Sequence, residues 1–234
     1  NLQSGVNFGV NNLTYCEGTE ARQKIIDDFG WTFSGDDPSC PFVTTWKTDN
    51  SGVSSSNQIT LPLKFSSSFT CTIDWGDGTV EEFTEISSKT HTYSSPGTYV
   101  VSIWGDFPGI NFSISSTDDK LKLVEFNQWG STQWDDLSYT FAGCSNLEYL
   151  ADDAPDLSNV TDMSWMFTLS SINADLNDWD VSGVTNMSNM FNNASSFNGD
   201  ISTWDVSSVT NLSSMFQYAT SFDQDLSSWN VGNV

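Results

Sequence analysis

Trp179-Asp180-Val181-Ser182-Gly183-Val184-Thr185-Asn186-Met187-Ser188-Asn189-Met190-Phe191 returns 25 residues later as Trp204-Asp205-Val206-Ser207-Ser208-Val209-Thr210-Asn211-Leu212-Ser213-Ser214-Met215-Phe216. Trp229 continues the tryptophan column by another 25, and Val160, Val184, Val209 and Val234 are spaced 24, 25 and 25 apart. Met166, Met190 and Met215 keep the same rhythm, as do Phe167, Phe191 and Phe216. A fixed period in this range marks stacked repeats, in which no unit buries its apolar face alone. Trp129 stands twelve residues before Phe141, as Trp179 stands twelve before Phe191, so the array begins near residue 121. The expected repeat core is Trp179, Trp204, Trp229, Met190, Phe191, Met215 and Phe216.

Within one unit, Ile201, Trp204, Val206 and Val209 fall in the frame of a short concave strand, expected over 202–206. Val209, Leu212, Met215 and Phe216 recur at three- and four-residue steps, the period of a short helix with one buried stripe, and Ser207 and Ser208 stand ready to cap it. The expectation for residues 119–234 is therefore an α/β leucine-rich-type solenoid. Its last layer is left half built at Val234, so its expected partners are further repeats of the same chain or another copy at that edge.

Residues 42–118 follow a different pattern. Ile59, Leu61, Leu63 and Phe65 alternate, as do Cys71, Ile73 and Trp75, which is the signature of half-buried strands. Asp77-Gly78 supplies the positive φ angles of a tight hairpin turn, and Pro96-Gly97 supplies another turn before Tyr99, Val101 and Ile103. Turns at this density indicate an antiparallel sandwich. The run Asp74-Trp75-Gly76-Asp77-Gly78, followed by His91-Thr92-Tyr93, Pro96-Gly97 and Tyr99, resembles polycystic-kidney-disease (PKD) domains, which implies a small immunoglobulin-like sandwich.

In residues 1–41, Ala21, Ile25, Ile26 and Phe29 outline a helix over about 19–29 ended by Gly30, with Trp31 and Phe33 in a following strand. Cys16, Cys40, Cys71 and Cys144 could pair fully in three ways. Only Cys16 with Cys40 is local, closing a loop of about 25 residues. Cys71 shares the alternating face of Ile73 and Trp75, and Cys144 takes the column of Ala194 and Ala219, so both read as small buried thiols. The run Tyr15-Cys16-Glu17, Ala21-Arg22-Gln23, Asp28-Phe29-Gly30-Trp31-Thr32 and Cys40 resembles the closing cap of another solenoid of the same type, a small α+β unit whose disulfide would pin a terminal layer.

The units Trp179-Asp180-Val181-Ser182, Val184-Thr185-Asn186-Met187-Ser188, Met190-Phe191 and Ala194-Ser195-Ser196-Phe197-Asn198, repeated at Trp204 to Phe222, resemble BspA-like leucine-rich repeat surface proteins. That resemblance implies a long, exported, multi-domain bacterial protein acting in adhesion or surface interaction, with the sandwich as spacer. It implies no reaction. Pro155 in place of the expected Trp, and a spacing of 26 from Phe141 to Phe167, depart from the pattern in the first two units.

Thirty Asp and Glu against 7 Lys and Arg give a formal charge of -23, which repels a phosphate backbone and an anionic bilayer, so nucleic acid and membrane insertion are not expected. Few cations with abundant Ser, Thr, Asn and Asp suit an extracellular or cell-surface chain. Residues 1–20 lack a signal peptide, which suggests an internal fragment. With His91 as the single histidine, no nucleophile motif and no Gly-rich phosphate loop, no catalytic residue and no cofactor are expected. Asp175, Asp200 and Asp225 line up by column, and Asp180 and Asp205 are joined by Asn230. Stacked at about 4.8 Å, like charges repel by roughly 1 kcal/mol. Calcium could neutralise them, but turn capping of backbone N–H groups is the favoured reading. Asp74 and Asp77 belong to the hairpin. Ser202, Thr203, Ser227 and Ser228 beside the tryptophan column outline a shallow surface for a glycan or protein, and a binding module appended to a secreted hydrolase is the alternative function.

Overall fold

The computed structural model describes residues 40–64, 69–84, 87–112 and 118–234 in full, and residues 7–9 and 32–34 by their backbone. Its strands are β1 (Asn7–Gly9), β2 (Thr32–Ser34), β3 (Phe42–Lys47), β4 (Gln58–Leu61), β5 (Cys71–Asp74), β6 (Val80–Phe83), β7 (Lys89–Thr92), β8 (Thr98–Gly105), β9 (Leu123–Gln128) and β10 (Glu148–Tyr149). β1 and β2 pair in parallel, and β2 contains Phe33 of the strand expected there. The helix over about 19–29, the pairing of Cys16 with Cys40 and the position of Phe65 fall outside the described residues.

Alternation does what the sequence pattern requires of it. Ile59 and Leu61 of β4, and Cys71 and Ile73 of β5, point inward while their neighbours are half-buried. β5 turns into β6 through a hairpin closed by Trp75 N–H donating to Thr79 O at 3.0 Å. Gly76 and Gly78 hold the positive φ angles there, at +77° and +90°. Asp77 instead accepts the Thr79 N–H at 2.9 Å. A Cβ on Gly76 would stand 2.3 Å from Val100 O, so the turn lies too close to β8 for any side chain at that position.

The sheet order is β10-β9-β3-β8-β5-β6, with β4 and β7 as a separate pair. β3 is the pivot, antiparallel to β8 on one side and to β9 on the other, and β10 then joins β9 in parallel. One continuous sheet thus crosses the boundary drawn at residues 118 and 119. The immunoglobulin-like sandwich expected for residues 42–118 does not close on itself, because strands from the following segment complete its sheet.

A buried ion pair fixes this junction. Asp119 and Lys122 have fully buried side chains, 3.8 Å apart. Asp119 accepts N–H groups from Val53, Ser54 and Thr60 and the Ser54 hydroxyl, while Lys122 Nζ contacts Ser54 O and Oγ, Ser55 O and Gln58 O at 2.8–3.0 Å. Burial pushes the Lys122 ammonium below its usual range, against the pull of Asp119. With each charge surrounded by hydrogen-bond partners, the pair holds the 53–60 turn onto the start of the repeats.

The α/β leucine-rich-type solenoid expected for residues 119–234 is not what folds. Among the described residues no helix occurs, and the chain after β10 consists of turns joined by isolated parallel bridges, Asp162 to Asn186 and Asn186 to Asn211. The 202–206 segment is not a strand, and 209–216 is not a helix. The reason lies in the backbone. Tyr139, Trp165, Asn189 and Ser214 have φ of 56–61°, and Leu169, Asn193 and Tyr218, with Gly143, repeat the left-handed conformation four residues later in each layer. A right-handed helix cannot pass through two such residues. The layers stack nonetheless: Phe141, Phe167, Phe191 and Phe216 lie face to face at 5.5–5.8 Å within 10° of parallel. Trp179, Trp204 and Trp229 follow at 6.3–6.4 Å. Trp129 carries the core across, touching Phe42 and Phe126 of the sheet, and Phe141 and Trp179 of the layers.

Candidate functional site

The turn ladder has a simple hydrogen-bond rule. Alternate N–H groups reach the next layer, as Phe141 does to Met166 O, Phe167 to Met190 O and Phe191 to Met215 O, each at 2.9 Å. The residues between them donate three positions back, as Ala142 does to Tyr139 O and Asn192 to Asn189 O. Each layer therefore presents a row of carbonyls to the layer before it and a row of N–H groups to the layer after it.

Both ends of this ladder follow from the rule. At the first layer, side chains replace the missing donors: Lys64 Nζ reaches Asp136 O at 2.7 Å and Ser138 O at 3.4 Å, and Asn111 Nδ2 reaches Ser138 O at 3.2 Å. At the last layer, the N–H groups of Leu212, Ser214, Phe216 and Tyr218 stand where their counterparts Met187, Asn189, Phe191 and Asn193 donate onward, and they have no acceptor among the described residues. Beneath them lies an open apolar groove of about 640 Å³ lined by Leu212, Met215, Phe216, Leu226, Trp229 and Val231. Trp204 and Trp179, one and two layers further in, are only 3% and 5% exposed, while Trp229 is half-buried. Of the expected repeat core, Met190 and Phe191 are fully buried, Met215 nearly so, and Phe216 half-buried at the edge.

The acidic columns are turn caps. Asp175, Asp180, Asp200, Asp205 and Asp225 each accept the backbone N–H two residues ahead at 2.9–3.1 Å. Asn186, Asn211 and Asn230 make the same turn. The hydroxyls and N–H groups of Ser182 and Ser207 hold Asp180 and Asp205 below the usual carboxylate range, and the N–H groups and hydroxyls of Ser202 and Ser227 do so for Asp200 and Asp225. Among the described residues no group of three or more His, Cys, Asp or Glu side chains is placed to hold a metal.

Other residues singled out from sequence have structural work. Thr203 Oγ1 bonds Asn177 and Ser228 Oγ bonds Ser202 O, so these hydroxyls tie layers together beside a tryptophan column that faces inward. The indole N–H groups of Trp204 and Trp229 donate to Leu176 O and Ile201 O. Burial pushes the Cys71 thiol up to about 11 and that of Cys144 well above its usual value, so neither is a ready nucleophile. His91 stacks on Trp75 at 4.6 Å and contacts Asp77 Oδ2 through Nε2 at 2.9 Å. Burial opposes ionisation of Asp77, but the hydrogen bonds from His91 and Thr79 prevail and keep its carboxyl low.

Sequence reasoning passed over a second, smaller feature. Lys64, Asp106, Phe107, Pro108, Gln133, Trp134, Asp135 and Asp136 enclose a cleft of about 180 Å³ between the end of β8 and the first layer. Nothing local in sequence signals it, because its walls come from three segments far apart in the chain.

With this geometry in hand, the comparisons divide the molecule. Residues 126–234, beginning within β9 and running through every layer, match a family described as "Mycoplasma protein of unknown function, DUF285". No curated relative and no solved structure matches the chain. The layered half is thus similar to a family whose description is not leucine-rich, and the leucine-rich-repeat reading is withdrawn together with the helical layers it presumed; the match does not reach residues 74–99, on which the PKD-like resemblance rests.

Proposed function

We propose that this chain is a non-catalytic segment of a large repetitive secreted or cell-surface protein, acting in adhesion or surface interaction. The observation that carries the reading is the last layer: four N–H donors at two-residue steps over an apolar groove, with the spacing that every inner layer uses to bind the next. A surface with that combination suits one occupant above others, a further layer offering carbonyls, a Phe and a Trp in the same columns. Such a layer can come from further repeats of the same chain; in another copy the matching carbonyl edge is already capped by Lys64 and Asn111. The side-chain cap at the opposite end supports a direction of growth. The acidic, cation-poor surface supports an extracellular setting. High thiol pKa values and a histidine stacked on Trp75 and bonded to Asp77 support a binding role over a chemical one.

Beads coated with the chain, and beads coated with a Phe216→Asp/Trp229→Asp variant, are to be counted on a surface bearing a peptide of residues 179–203, one layer with its carbonyls, Phe and Trp. Retention of the first and release of the second is the expected result. Equal retention of both, or of neither, contradicts edge-mediated contact.

A further inference from the structure

Asn198-Gly199 is the sole Asn-Gly dipeptide in the sequence, and the stack fixes both of its residues. Asn173, Asn198 and Asp223 form a column in which a side-chain oxygen of one layer accepts the N–H of the next. Asn173 Oδ1 takes the Asn198 N–H at 2.9 Å, and Asn198 Oδ1 takes the Asp223 N–H at 2.8 Å. Position 198 therefore calls for Asn or Asp. Gly199 is buried, and a Cβ there would stand 1.6 Å from Ala174 O, so only glycine fits behind it.

This pairing carries a chemistry of its own. With no side chain at position 199, nothing screens its backbone nitrogen from the carboxamide before it, and its N–H donates to nothing among the described residues. Gln224 Nε2 is a second donor to Asn198 Oδ1, at 3.1 Å, and is anchored by Asn198 O at 2.9 Å. Two N–H groups thus point at the oxygen on which negative charge develops when Asn198 Cγ is attacked, the arrangement that stabilises a tetrahedral intermediate. Asn198 is exposed and its Nδ2 has no partner among the described residues, so it is free to depart. We infer that Asn198-Gly199 is a self-modification site at which the stacked layers age. Hydroxide removes the Gly199 amide proton, the nitrogen attacks Asn198 Cγ, the Cγ–Nδ2 bond breaks and ammonia leaves, closing a succinimide. Water then opens the ring at either carbonyl, giving aspartate or isoaspartate. Aspartate keeps the acceptor that the Asp223 N–H requires. Isoaspartate runs the main chain through the former side-chain carbonyl, adds a carbon between Asn198 Cα and the Gly199 nitrogen, and displaces Gly199 from its seat against Ala174 O.

The test holds the full chain at pH 7 and at pH 8.5 and follows it by peptide mass spectrometry, beside a synthetic peptide of residues 193–203 that lacks the fold. A gain of one mass unit at Asn198 is expected, faster at the higher pH and at least as fast in the folded chain as in the peptide. Asn173, which occupies the same column before Ala174, should stay unmodified over the same period. Gln224→Ala and the equally long Gln224→Met each remove one donor from Asn198 Oδ1, and the variant that keeps the parent's melting temperature should convert at least about threefold more slowly. The isoaspartate form, separated by chromatography, should melt below the parent, whereas Asn198→Asp should melt with it. Slower conversion in the folded chain than in the peptide, equal conversion at Asn173, rates unmoved by the Gln224 variants, or an isoaspartate form as stable as the parent overturns the assignment. The inference rests on contacts between layers and not on what covers the open edge.

Discussion

Single positions decide how each turn is made. Every layer needs two left-handed residues, and Gly143 and Asn193 supply that conformation at little cost where Leu169 and Tyr218 do not. Leu169 is 46% exposed, so Leu169→Asn should gain about 0.5–1 kcal/mol in denaturant unfolding; a loss would mean that its side chain packs more than its exposure shows. The two hairpin glycines should differ in the same assay. Gly78 has open space around it, whereas Gly76 faces Val100 O. Gly78→Ala should therefore cost only the backbone term, about 1–2 kcal/mol, and Gly76→Ala clearly more. The acidic turn caps set a pH limb. Asp180, Asp200, Asp205 and Asp225 have folded pKa values below their ordinary ones, so their contribution is complete above the unfolded value near 3.8 and is lost as pH falls through the folded values. Melting temperature should fall below about pH 4. Asp180→Asn/Asp205→Asn, which copies the turns at Asn186 and Asn211, should flatten that limb without loss at pH 7.

Elements show where the sequence could be read and where it could not. The period, the Phe and Trp columns, the alternation in β4 and β5 and the turn-capping role of the acids are all legible, because each rests on spacing between near neighbours. The helix was misread because Val209, Leu212, Met215 and Phe216 have one spacing that serves a helix and a turn ladder equally. What separates the two is φ at Ser214 and Tyr218, and neither residue type advertises a left-handed turn. The pairing of β3 with β9 was also out of reach, since it joins segments about eighty residues apart with no local signal. Stacking does make an ordered prediction. Phe167→Ala and Phe191→Ala, each fully buried between rings, should cost about 3–5 kcal/mol. Phe216→Ala, covered on one side only, should cost visibly less; equal costs would mean that the edge is not open.

At the scale of the molecule, sheet and layers share one apolar core running from Phe42 through Trp129 to Trp204, joined by the Asp119–Lys122 clamp. Lys122→Met should cost about 3–5 kcal/mol by leaving a buried carboxylate without its cation, and should loosen both halves together. Residues 123–234 contain no Lys, Arg or His, so the layers repel one another through their carboxylates. Moderate salt should raise the melting temperature by screening, and calcium at matched ionic strength should add nothing beyond it. The account rests most on the alternating interlayer ladder and its open end, and amide hydrogen exchange reads both at once. The N–H groups of Phe141, Phe167 and Phe191 should be strongly protected, while those of Leu212, Ser214, Phe216 and Tyr218 exchange near the rate of an unstructured chain. Uniform protection of consecutive amides across residues 209–218, as a helix or a covered edge would give, contradicts it.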